Sequence, residues 1–178
     1  MLKKIEDNLR EFVYGGMDGA VTTFAVVTGA AGAGLPSRII LIIGFANVFA
    51  DGFSMAVGSY LSEKSDQDVQ KKQGKETEAD HQTAKAAAVA TFISFVLVGF
   101  IPLSLYTFDF AFRTGWRSGD LLVWSIILTL LAFSAIGYLR GRVAHVDKAR
   151  TTIESLSLCV AAAVISYVVG NLLEKIIT

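Results

Sequence analysis

IILIIGFANVFADGFSMAVGSYL, residues 39–61, is a 23-residue apolar run whose only charged side chain is Asp51, its thirteenth residue. A bilayer core takes about 20 helical residues to cross, so the run predicts a membrane span with a carboxylate near its middle. A second run, FVYGGMDGAVTTFAVVTGAAGA at 12–33, carries Asp18 in the same way. A charged side chain at the bilayer centre costs roughly 2.5–3.5 kcal/mol on insertion scales, and such residues usually mark ion or proton pathways.

Three further apolar runs, 86–108, 121–139 and 155–173, bring the expected spans to five. Barrel strands alternate over about 10 residues instead of staying apolar for 20. The chain therefore reads as an all-α membrane protein. It reads as one membrane domain over 1–178, with its longest polar connection at 62–85. Net charge is zero, but its distribution gives an orientation. Twelve cations fall on the side of the N-terminus and of the connections after spans two and four, and four fall on the other side. By the positive-inside rule the N-terminus is cytoplasmic. Host membranes that fit are the cell (inner) membrane of a prokaryote, or a vacuolar or other organelle membrane of a eukaryote.

No cleavable signal peptide is expected, because the first apolar run is too long and charges of both signs precede it. Leu2, Ile5, Leu9, Phe12 and Val13 stand at near-helical spacing. They suggest either an amphipathic helix on the membrane surface or a solvated extension of the first span. In the 62–85 connection Lys72, Glu76 and Asp80 are four apart, which predicts a helix continuing past the membrane with a break near Gly74. Its acids, Glu63 and Asp66 above all, are candidates for a pore mouth; a solvated mixed-charge hairpin is the plainer reading. Pro102 predicts a kink near the outer end of span three. Tyr106, Trp116, Trp124 and Tyr138 read as interfacial anchors. Cys159 reads as a small buried apolar residue. His81 and His145 have no neighbouring His or Cys to form a zinc site.

The chemistry concentrates in the first two spans. Asn47, Asp51 and Met55 are spaced i, i+4, i+8 and share one face. Asp18 and Thr22 are i, i+4. Gly15 and Gly19, Ala46 and Ala50, and Gly52 and Ala56 form small-xxx-small pairs, with Gly58 beside them; such faces let helix backbones approach closely in lipid. Two closely packed helices would thus present carboxylates, an amide, a hydroxyl and a thioether to a common interior, with spans three to five as scaffold. Oxygen ligands alone suit Mg²⁺, Ca²⁺ or Mn²⁺, and a thioether shifts the preference to borderline ions such as Fe²⁺ or Mn²⁺. Met55 could equally be packing filler, and the two aspartates could be structural partners across the helix pair.

MDGAVTTFAVVTGAAGAG in the first span and GFANVFADGFSMAVGSYLSEKS in the second resemble the vacuolar iron transporter (Ccc1-type) family of Fe²⁺ and Mn²⁺ exporters. The resemblance implies a homodimer in which the first two helices of each protomer line a pore at the two-fold axis. It places pore ligands on Asp18, from the DG motif, and on Met55, from the SM motif. It implies exchange of cytosolic metal for protons. A glutamate expected eight residues before the SM methionine is Asn47 here; an acid follows one turn later, Asp51, as in the shorter nodulin-like branch. The 62–85 connection has no Met and is too short for the family's cytoplasmic metal-binding domain, so this is a short form.

The expectation is export of Fe²⁺ or Mn²⁺ by proton antiport for metal homeostasis. Asp18, Asp51 and Met55 would bind the ion, and Asn47 and Thr22 would complete or orient the shell. The expected partners are a second copy of the chain, lipid, divalent ions and protons, with no nucleic acid and no cofactor. No nucleophile–base pair or cofactor loop points to an enzyme. The alternatives are a transporter of another small cation and a non-transporting membrane scaffold or sensor.

Overall fold

The computed structural model describes residues 2–74 and 80–177, and side chains outside 1–10, 75–83 and 178. The described residues are helical, with no strand: α1 (Leu2–Gly32), α2 (Ser37–Lys72), α3 (Asp80–Gly99), a 3-10 turn (Ile101–Leu103), α4 (Ser104–Phe112), α5 (Ser118–Val143) and α6 (Lys148–Ile177). Four stretches are long and apolar enough to cross a bilayer: α2, the α3–α4 unit from Ala84 to Phe112, α5 and α6. The first helix does not reach that apolarity. It carries Asp18, Thr22, Thr23 and several glycines, and these polar and small residues fit its place in the protein: α1 packs against α2, α3, α5 and α6. A helix surrounded by protein does not need an apolar surface all round.

α1 runs unbroken from Leu2 to Gly32, which fits the helical-extension reading of the N-terminal segment. It ends in a Schellman cap. Gly34 takes φ +66°, Gly34 N–H donates to Ala31 O and Leu35 N–H donates to Ala30 O, both at 3.0 Å, so carbonyls that the helix end would leave free are satisfied. α2 continues past the apolar run to Lys72, and Gly74 follows at φ +74°; the break falls where the glycine predicts it. Glu76 lies outside the described residues, as do the side chains of Asp80 and His81.

Pro102 does interrupt the third span, as a 3-10 turn between α3 and α4. The turn is anchored laterally, because Ser125 Oγ of α5 donates to Pro102 O at 2.7 Å. α6 begins at an Asp147 cap whose Oδ1 accepts from Ala149 N–H at 2.9 Å, which satisfies an otherwise orphan donor. It is tied to α5 by Thr151 Oγ1 donating to Gly137 O at 2.9 Å. Only 6% of the apolar window of α6 is buried, so this helix presents its hydrophobic surface outward.

Two apolar clusters hold the bundle. One gathers Val27, Ile40, Leu41, Val48, Leu103, Tyr106 and Leu121 near the α1–α2 loop. The other joins Ala20 and Phe24 of α1 to Phe133 of α5 and Cys159 of α6, with Cys159 fully buried as expected. Tyr106 corrects an expectation: it is 1% exposed and belongs to this core, not to an interfacial belt. Tyr138 is exposed, with Lys148 Nζ 5.2 Å from its ring centroid.

The glycine faces of α1 and α2 meet α3 more than each other. A Cβ at Gly15 would lie 2.5 Å from Ser94 Oγ, one at Gly19 would lie 2.9 Å from Phe95 Cα, and one at Gly52 would lie 3.0 Å from Phe95 Cδ1. α3 is thus wedged against both motif helices. Gly58 meets nothing within 4 Å and lies in open space.

Candidate functional site

Helical periodicity places the expected ligands on neighbouring faces of α1 and α2. Asp18, Thr22, Asn47, Asp51 and Met55 are all half-buried. The Asp18 and Asp51 carboxylates are close enough for their charges to interact. Thr22 Oγ1 donates to Asp18 O at 2.9 Å. Its proton is therefore committed to the helix backbone, and its lone pairs remain available as an acceptor. Asn47 Nδ2 is buried and has no hydrogen-bond partner among the described residues.

Met55 faces a cavity whose lining does not include the two aspartates. It lines this cavity, of about 450 Å³, together with Glu11, Ser59, Glu63 and Asp66, at the end of the bundle where α2 leaves the apolar region. Glu63 and Asp66 therefore line one and the same cavity. Glu11 is an acid that sequence reasoning missed. Its Oε2 accepts from Thr91 Oγ1 at 3.0 Å and from Ser59 Oγ at 3.3 Å, and Thr91 is fully buried. A hydroxyl pair on one oxygen fixes the carboxylate's orientation at the cavity. The signal was present in the spacing: Glu11, Asp18 and Thr22 are i, i+7, i+11 and lie on one side of α1. Thr91 also shows that α3 contributes polar groups as well as scaffold.

No group of three or more His, Cys, Asp or Glu converges to hold a metal ion among the described residues of one chain. What the chain offers is two half-buried aspartates whose charges interact, a thioether one helical turn from Asp51, and three acids around the cavity.

The surface of α2 beside this stripe is open. Ala46, Ala50, Ser54 and Gly58 follow one another at four-residue intervals and are exposed, flanked by exposed Phe49 and Phe53. A stripe of small residues left uncovered in a single chain is the kind of surface on which another membrane helix packs closely.

The sequence model of the VIT family matches residues 9–86 and 74–171. The chain is 30% identical over 142 residues to vacuolar iron transporter homolog 4 of Arabidopsis thaliana, covering 75% of this chain and 69% of that protein. It is 23% identical over 226 residues to vacuolar iron transporter 1 of Tulipa gesneriana, covering 96% and 89%. A shorter stretch of 62 residues is 42% identical to the vacuolar iron transporter of Toxoplasma gondii (strain ATCC 50861 / VEG); it covers 35% of this chain and spans 20% of that protein's length. With four helices of spanning length and apolarity, this is a multi-pass integral membrane protein, and with nearly its whole length matched the chain belongs to the VIT family.

Proposed function

We propose that the protein exports Fe²⁺ or Mn²⁺ from the cytosol in exchange for protons, as a homodimer whose α1 and α2 helices line a path at the two-fold axis. The observation that carries this reading is the juxtaposition on α2. The half-buried ligand stripe Asn47–Asp51–Met55 borders the exposed small-residue stripe Ala46–Ala50–Ser54–Gly58. A second copy packing there would set two Asp18 and two Asp51 around one axis. It would supply the ligands that a single chain lacks. The first helix then serves as a fifth span, the least apolar because it packs against α2, α3, α5 and α6. The names of the relatives support metal transport in general.

The path runs from Glu11, Glu63 and Asp66 at the cytoplasmic mouth to Met55 and then to the paired aspartates. Carboxylates held together in low dielectric cannot all stay charged without a cation, so metal and proton occupancy exclude one another. Acid on the far side then displaces the ion. Oxygen plus thioether ligation favours Fe²⁺ or Mn²⁺ over Mg²⁺ or Ca²⁺. The competing reading is a transporter of small organic cations using the same acids. It lacks an aromatic cage, because Phe45, Phe49 and Phe53 fall largely off the face of Asn47, Asp51 and Met55.

The test is metal entry into proteoliposomes with and without an imposed pH gradient, comparing Fe²⁺, Mn²⁺, Zn²⁺ and Mg²⁺. Flux of an organic cation with none of any metal would overturn the proposal. Asp51→Asn keeps an oxygen ligand but removes an exchangeable proton. The variant is expected to bind metal more weakly and to lose most of the gradient dependence of its flux, read by an interior pH dye. Wild-type proton movement per metal would remove Asp51 from the coupling.

Met55→Leu preserves volume and apolarity while deleting the sulfur. Uptake of Fe²⁺ or Mn²⁺ is expected to fall relative to Mg²⁺ and Ca²⁺. An unchanged ranking of ions would make Met55 a packing residue.

A further inference from the structure

Inside a helix a threonine hydroxyl ordinarily satisfies itself on the carbonyl four residues back. Thr22, Thr28, Thr107 and Thr129 all do so here, at 2.7–2.9 Å. Thr91 of α3 departs from that habit. Its Oγ1 donates at 3.0 Å to Glu11 Oε2 of α1, and Ser59 Oγ of α2 donates to the same oxygen at 3.3 Å. Three helices thus meet on one carboxylate oxygen, although a backbone acceptor on its own helix was open to Thr91.

Close packing makes that reach possible. Gly15 stands one turn from Glu11 on the same face of α1. A Cβ there would lie 2.7 Å from Thr91 O and 3.1 Å from Thr91 Cα, so the missing side chain lets α3 come near enough to bond the carboxylate. On the other side, Met55, Ser59 and Glu63 follow at four-residue spacing on α2, and all three line the Glu11 cavity. Thr91 is fully buried and is not part of that lining. It cannot touch an ion in the cavity and can act on one only through Glu11. A carboxylate held in this way loses its rotamer freedom on folding instead of on ion binding.

We propose that Thr91 is a positioning residue for cation entry, whose hydroxyl holds the Glu11 carboxylate ready for a divalent ion arriving in the cavity. This rests on the transport reading for the route of the ion, and on the contacts among Glu11, Ser59 and Thr91 for the role of the threonine.

The test pairs two measurements on purified protein. One is equilibrium Mn²⁺ binding in detergent, read from the EPR signal of the free ion; the other is the concentration dependence of Mn²⁺ entry into proteoliposomes. Thr91→Val keeps the shape of the side chain and removes the donor, and Thr91→Ser restores it. Thr91→Val is expected to weaken Mn²⁺ binding and raise KM by about tenfold, as loss of a partner behind a metal ligand typically does, with a smaller change in the maximal rate. Thr91→Ala removes the donor without placing an apolar branch beside the carboxylate, and is expected to behave as Thr91→Val does. Thr91→Ser is expected to recover most of the loss. In a Glu11→Gln background no carboxylate remains to be positioned, so adding Thr91→Val is expected to cost less than about a further twofold. That non-additivity separates positioning from a general effect on α3 packing. Losses that multiply in the double variant, wild-type Mn²⁺ affinity in folded Thr91→Val or Thr91→Ala, or no recovery in Thr91→Ser overturns the proposal. Coupled Mn²⁺ binding in a wild-type protein that moves no metal would instead overturn the transport reading and leave the role of Thr91 standing.

Discussion

Asp18→Asn is expected to reduce metal flux to background while leaving the protein folded. The change removes charge and almost no volume at a half-buried position of α1. An interaction of a cation with one charged ligand is worth about 1.5–3 kcal/mol on the scale of charged hydrogen bonds, or about tenfold to a hundredfold in occupancy. In a two-fold assembly the loss occurs twice around one ion, so the effects multiply. Asp18 also shares its electrostatic environment with Asp51, and its removal leaves Asp51 without the neighbour that links ion binding to protonation. The measurement is Mn²⁺ or Fe²⁺ entry into liposomes containing purified variant of wild-type elution volume. Undiminished flux would take Asp18 out of the pathway.

A large structural effect is expected at Gly19. Its α-carbon lies against the α3 backbone so closely that a Cβ would sit 2.9 Å from Phe95 Cα and 3.0 Å from Phe95 C, while a Cβ at Gly99 would sit 3.0 Å from Gly19 O. Neither neighbour is the tip of a flexible side chain, so relief requires moving one helix. Overpacking of this kind costs typically about 1–3 kcal/mol. Gly19→Val is expected to lower the thermal midpoint by several degrees at least, or to prevent recovery of folded protein. Gly58→Ala is the internal control: nothing lies within 4 Å of its new methyl, so the protomer should keep its stability. Equal midpoints for wild type and Gly19→Val would show that α1 and α3 do not meet as closely as described.

The helices were legible because 20-residue apolar runs have few physical alternatives. Pro102 and Gly74 were legible for the same reason, since one lacks a donor and the other tolerates positive φ. Three features were not. Tyr106 sits near a span end, where an aromatic ring fits a lipid interface and a protein core equally well. Only the packing of Ile40, Leu103 and Leu121 around it decides between them. The partner of the α1 and α2 glycines was also hidden, because a small-xxx-small face states how near a neighbour can come but not which neighbour comes. Glu11 was passed over as one charge among several before the first span, since nothing local ties it to Thr91, eighty positions away. Conversely, the common face of Asn47, Asp51 and Met55 follows from their four-residue spacing on an unbroken α2.

The length of α2 has a mechanical consequence. Thirty-six residues at 1.5 Å rise make a rod about 54 Å long, well beyond the roughly 30 Å of bilayer hydrocarbon. The rod is gripped where Gly52 rests on Phe95 and is free of any break from there to Lys72. That arm of twenty residues is about 30 Å long. A tilt of about 5° at the grip carries its tip sideways by roughly 2.6 Å over that arm. It shifts Met55, one turn from the fulcrum, by less than about half an ångström. Along that arm Ser59 bonds Glu11 of α1 and Gln67 is buried, so the helix is held at points beyond Gly52. These holds oppose the tilt, so the unbroken helix keeps Glu63 and Asp66 at a fixed spacing from Asp51.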